Sequence, residues 1–150
     1  MNQRPPVAQR IVAARKRVGL SEKALAERLG ITVPAYQDLE SDDSEAFMCV
    51  SLSQLHELGS ALRVPPRQLL APEGLVPPEQ TVSMGELVAR VQAMMAAEGV
   101  TADQFGERVG WDVSSALADP ASAWVEWNPD GLRDICAAVG VDWLAVLPDK

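Results

Sequence analysis

Two short helices around a single glycine are written twice in this chain, and that repetition limits the fold more than any other feature. In the first copy, Ser21 can cap a helix with its hydroxyl. Ala24, Leu25 and Leu29 share that helix's inner face, and Ala24 is small where two helices approach closely. Gly30 follows Leu29, where a helix stops on a left-handed residue. Thr32 caps the next helix, Pro34 sits in its first turn, and Tyr36 and Leu39 face inward at i, i+3. At an offset of 80, Gly99-Val100-Thr101 answers Gly19-Leu20-Ser21, and Phe105, Val109 and Gly110 answer Leu25, Leu29 and Gly30. Thr101 and Gln104 make a capping box, and Asp112 can cap the helix after it.

The remaining segments extend the match. Val7, Ile11, Ala14 and Val18 form one apolar stripe of a first helix, Val7 to Val18. Ser83 to Glu86 opens its counterpart, with Leu87, Val91 and Met94 as the stripe. After a loop, SDDSEAFMCV, Ser51 caps a helix that carries Leu52, Leu55, Leu58 and Leu62 inward, and Pro66 to Leu70 makes a short closing helix. At an offset of 77, Asn128-Pro129 stands in register with Ser51-Leu52, Gly140 with Arg63, and Val146-Leu147 with Leu69-Leu70. The loop after the glycine-linked pair is thus three residues shorter in the second copy. Ala71 to Gln80 holds three prolines and no periodicity, as a semi-rigid linker would. The reading is two units, 1–72 and 81–150, joined through 73–80.

The run Leu25-Ala26-x-x-Leu29-Gly30-Ile31-Thr32, closed by Leu39-Glu40, resembles the Cro and phage-repressor (Xre) family of helix-turn-helix domains. The resemblance implies an all-α chain of two tandem five-helix lambda-repressor-like domains, the second one degenerate. It implies that Arg15 and Glu40 form a structural ion pair. Their counterparts at the offset of 80 are Met95 and Pro120, so both charges are absent together, as burial requires. It also implies that the second helix of the pair meets DNA. There Thr32, Val33, Pro34, Gln37 and Asp38 would face the groove. Gln37 is the one good base reader, and Val33 or Ala35 could touch a thymine methyl. Arg10 and Lys23 would hold phosphates, within a basic cluster that includes Lys16, Arg17 and Arg28. Glu22 stands where the family often has a glutamine, and Asp42, Asp43 and Glu45 occupy a loop that the family often makes basic.

Charge divides the chain unevenly. Its net value is −8, yet residues 1–72 carry nine Lys/Arg against eight Asp/Glu, and 73–150 carry four against thirteen. Phosphate neutralisation needs cations, so only the first half is electrically suited to DNA. The second half offers Val113, Ser114, Leu117 and Ala118 at the reading positions and holds all four tryptophans. Trp124 and Trp127 lie in the shortened loop and are expected either in packing or on a partner surface.

Cys49 and Cys136 read as buried, reduced thiols, and His56 as structural or solvent-facing. Without a phosphate-cradling glycine loop, metal-ligand spacing or a triad, no enzyme is expected, and no cofactor or metal. No apolar run reaches a membrane-spanning length of ~18 residues, and no secretory leader is visible; the expected location is the cytoplasm. Two functions fit these features. One is a DNA-binding repressor-like regulator whose second half dimerises or holds a partner. The other is a protein-interaction module, antitoxin-like or anti-repressor-like, that reuses the scaffold without specific DNA binding.

Overall fold

Helix stops and starts are set by the capping residues, and a computed structural model of the chain, which describes residues 6–72 and 78–147, shows each in detail. The first half consists of α1 (Val7–Val18), α2 (Glu22–Leu29), α3 (Val33–Ser41), α4 (Glu45–Met48), α5 (Leu52–Leu62) and α6 (Pro66–Leu70). The second consists of α7 (Met84–Glu98), α8 (Ala102–Val109), α9 (Ser114–Ala118), a 3-10 turn (Pro120–Ser122), α10 (Ala123–Glu126), α11 (Pro129–Val139) and α12 (Trp143–Val146). Among the described residues there is no strand. Starting residues place α8 80 residues after α2, α10 78 after α4, and α11 77 after α5.

Local chemistry explains the boundaries. Ser21 Oγ accepts the Ala24 N–H at 3.0 Å, and Thr32 Oγ1 accepts that of Ala35 at 3.2 Å. Gly30 ends α2 at φ 70°, which lets the Ile31 N–H reach back to the Ala26 carbonyl at 3.0 Å. Ser51–Gln54 and Thr101–Gln104 are complete capping boxes. The acidic loop also does capping work: Asp43 Oδ1 accepts the Ala8 N–H at 2.9 Å, in the first turn of α1.

The expected apolar stripes face a core that runs without interruption through both halves, from Ile11, Leu25, Tyr36 and Leu55 to Leu87, Phe105, Leu132 and Leu144. Within α2 the buried alanine is Ala26, while Ala24 is half-buried. The segment read as a loop after α3 contains the one-turn helix α4, held by buried Ala46. Neighbouring Phe47 leans on Trp143, their ring centroids 6.1 Å apart. α4 packs on α11, and α10 packs on α5. At their junction the Leu52 N–H donates to the Trp127 carbonyl and Asn128 Nδ2 to the Met48 carbonyl, both at 2.9 Å.

Most of the stretch read as a linker, 73–77, lies outside the described residues. On either side of it the halves are tied together. Buried Arg67 donates to the Pro78 carbonyl at 2.7 Å and to the Leu147 carbonyl at 3.0 Å, and the Val82 N–H donates to Ala145. Of the two cysteines, Cys136 is buried as expected, and burial raises its thiol pKa to about 12. Cys49 is exposed, because it ends the one-turn α4 instead of entering the core.

Gly59 permits α6 to fold onto α5. A Cβ there would lie 2.8 Å from the Val64 carbonyl oxygen and 2.9 Å from Pro66 Cδ, neither of which can swing aside. Gly59→Ala should therefore destabilise the fold by about 1–2 kcal/mol despite alanine's better helix propensity, as read from the urea midpoint. An unchanged midpoint would show that α6 is not packed this closely.

Candidate nucleic-acid interface

The first turns of α3 decide what this surface can recognise. Tyr36 and Leu39 are buried, so rotation about the helix is fixed. Thr32, Pro34, Gln37 and Asp38 are then exposed together, while Val33 is half-buried and packs against the core. The exposed face therefore has one amide able to make two hydrogen bonds to a base edge, on Gln37, and one carboxylate, on Asp38.

Below that face lies a polar cluster. Arg15 Nε donates to Glu40 Oε1 at 2.5 Å and Nη2 to Oε2 at 3.3 Å, a two-pronged pair with side chains 14% and 10% exposed. Tyr36 Oη donates to Glu40 Oε1 at 3.0 Å, and Arg15 Nη1 donates to the Leu20 carbonyl at 3.2 Å. Glu22 approaches Arg15 Nη2 at 3.8 Å, which gives it a place in this network. The bond to Glu40 raises the Arg15 pKa, and burial raises that of Tyr36. The cluster joins α1, α2 and α3 and sets the angle at which α3 is presented.

The cations divide into committed and available groups. Arg10, expected to hold a phosphate, is engaged within the chain. Its Nη1 donates to the Leu69 carbonyl at 2.8 Å and the Ala71 carbonyl at 2.7 Å, so it clamps α1 to the end of α6. Arg28 is held by Glu57 at 2.6 Å, whereas Arg17 makes only a long bond, Nη2 to the Leu62 carbonyl at 3.5 Å, and stays exposed. Lys16, Arg17 and Lys23 have exposed side chains that can meet a phosphate backbone. Asp42 accepts the Ser44 N–H and Oγ–H, and these bonds hold its pKa below the usual carboxylate value.

The second half presents a different face. α9 has five residues where α3 has nine, and Asp119-Pro120 ends it. At the spacing of 80 from Lys23 and Thr32 stand Asp103 and Asp112. Asp112 Oδ1 accepts the Ser114 N–H at 2.9 Å, and this bond lowers the carboxyl pKa. The tryptophans are used inside the chain. Trp127, expected either in packing or on a partner surface, is packed: it is 2% exposed at the end of α10, the helix that packs on α5. Trp124 is half-buried against the core, and Trp111 Nε1 reaches Asp134 at 3.4 Å.

Among the described residues no group of three or more His, Cys, Asp or Glu could hold a metal ion, and no helix is long and apolar enough to cross a membrane. Residues 11–69 match the sequence model of a family described as Helix-turn-helix. The match runs from within α1 into α6 and supports one helix-turn-helix domain over that segment. No curated protein and no solved structure matches the chain.

Proposed function

We propose, from a helix-turn-helix domain over residues 11–69, that this chain is a cytoplasmic DNA-binding transcriptional regulator of the Xre/Cro repressor type. In this reading the chain is a tandem duplicate, and DNA contact falls to the first copy. The observation that carries it is the face of α3: Thr32, Pro34, Gln37 and Asp38 exposed on a helix fixed by Tyr36 and Leu39. Gln37 reads a base edge, and Lys16, Arg17 and Lys23 neutralise phosphates. Support for the duplication comes from the spacing of α8, α10 and α11, and from a concerted loss. Arg15, Tyr36 and Glu40 are answered at the offset of 80 by Met95, Ala116 and Pro120, so the whole network is replaced together.

Fluorescence anisotropy on duplex fragments, titrated with salt, tests this reading. Three available cations predict a slope of log K against log[salt] of about −2 to −3. Lys23→Ala should weaken binding to all sequences and flatten the slope by about 1. Gln37→Ala should relax preference at one base position, by roughly 1–3 kcal/mol of discrimination. Absence of binding at low salt would reject the reading.

One observation favours a second reading, a protein-interaction module of antitoxin-like or anti-repressor-like kind. Asp103 and Asp112 face solvent where the first half has Lys23 and Thr32, so the second half repels phosphate. Recovery of a stoichiometric protein by the purified chain, lost with Trp124→Ala, would support it.

A further inference from the structure

We infer that the DNA ligand of this chain is a single asymmetric half-site, bound by one chain that cannot pair with a second copy through its α4–α5 face. The inference rests on the DNA reading above and adds the kind of site that is read. A two-fold interface is self-complementary: one patch on each partner, each contacting the other's equivalent. Here the contacts between the halves have that reciprocal form. α4 packs on α11 and α10 on α5, and by spacing α10 is the counterpart of α4 and α11 of α5. The place where an identical chain would sit is filled by the chain's own second half.

The junction is also closed chemically. The Leu52 N–H donates to the Trp127 carbonyl, and the residues at a spacing of 77 from Leu52 and Val50 are Pro129 and Trp127. Pro129 has no N–H to return the bond. The second half instead sends Asn128 Nδ2 to the Met48 carbonyl at 2.9 Å. Trp127 and Val50 are 2% and 3% exposed, so this contact excludes solvent.

Operator palindromes mirror two equivalent readers on a two-fold axis. The particle formed here has one. α9 is too short to lie along a groove as α3 does, and its exposed residues, Ser114, Ser115 and Ala118, include no long amide or cation. Asp103 and Asp112 oppose the backbone approach on that side. With one reader per particle, the preferred sequence has no inverted repeat and the complex is 1:1.

Two measurements on the full chain test this. Light scattering across concentration should give the mass of one chain. Selection from a random duplex library at low salt should yield one short non-palindromic motif. A duplex that carries the motif twice as an inverted repeat should bind only about twofold better than a single copy, whereas linked readers gain on the order of 10²–10⁴-fold. A concentration-independent dimer mass, a palindromic consensus, or a gain above about tenfold with two chains bound would overturn the inference while leaving DNA binding intact. Failure to bind any duplex at low salt would overturn the DNA reading and this inference with it, whatever the mass.

Discussion

Trp127→Ala is expected to lower the unfolding free energy by about 3–5 kcal/mol and to separate the unfolding of the two halves. The indole is the largest fully buried side chain among the described residues. Its Nε1 lies 3.4 Å from the Asp112 carbonyl, and its own carbonyl accepts the Leu52 N–H. Truncation empties the space of a buried indole directly beside the backbone bond from Leu52 to the Trp127 carbonyl, so the cavity lies next to the contact between the halves. The other three tryptophans, Trp111, Trp124 and Trp143, all lie in the second half. Fluorescence therefore follows that half, while far-UV circular dichroism follows all the helices. Coincident urea transitions in the parent should become non-coincident in the variant. A loss under about 1 kcal/mol, with curves still superimposed, would show that the halves do not depend on this side chain.

Glu40→Ala should be the next most damaging change, at about 3 kcal/mol, since it strands Arg15 and removes the acceptor of the Tyr36 hydroxyl. The informative variant is the double one. Arg15→Met with Glu40→Gln removes both charges together and should recover at least half of the loss; at a spacing of 80 from the pair stand the uncharged Met95 and Pro120. Chemical denaturation of the parent, both single variants and the double variant forms a complete cycle. Additive losses would mean that the two side chains act independently. Because the network sets the presentation of α3, Glu40→Ala should also weaken the proposed DNA binding by more than the fraction unfolded accounts for, and the deficit should persist at low temperature where the variant is folded.

Much of the architecture was legible because it is written in local chemistry. Ser21, Thr32, Ser51, Thr101 and Asn128 each cap a helix through a neighbour three residues away. A glycine at the end of α1, α2, α7, α8 and α11 takes the left-handed conformation that stops a helix. α4 and α10 were not legible. They have four residues each, too few to show a period, and their N-cap serines make no side-chain cap bond. Long-range commitments were hidden too. Arg10 lies beside the apolar stripe of α1 and reads as an outward cation, but its acceptors are 59 and 61 residues away in sequence. Trp127 was ambiguous because its burial depends on contacts distant in sequence, such as Asp112 and Leu52, which leave no mark in any one window. The exposed set on α3 followed from Tyr36 and Leu39 facing inward, with the half-burial of Val33 as the exception.

The unequal junction at Leu52 and Pro129 has a bearing on how such a molecule can change. In an assembly of identical subunits every mutation is made in duplicate and strikes both sides of the axis at once. A proline that removes an N–H would there delete two bonds together. In this chain the missing N–H falls on one flank only, and that flank has a side-chain bond of its own, from Asn128 to the Met48 carbonyl. Because one gene encodes both flanks as different sequences, either surface can change without the same change being imposed on the other.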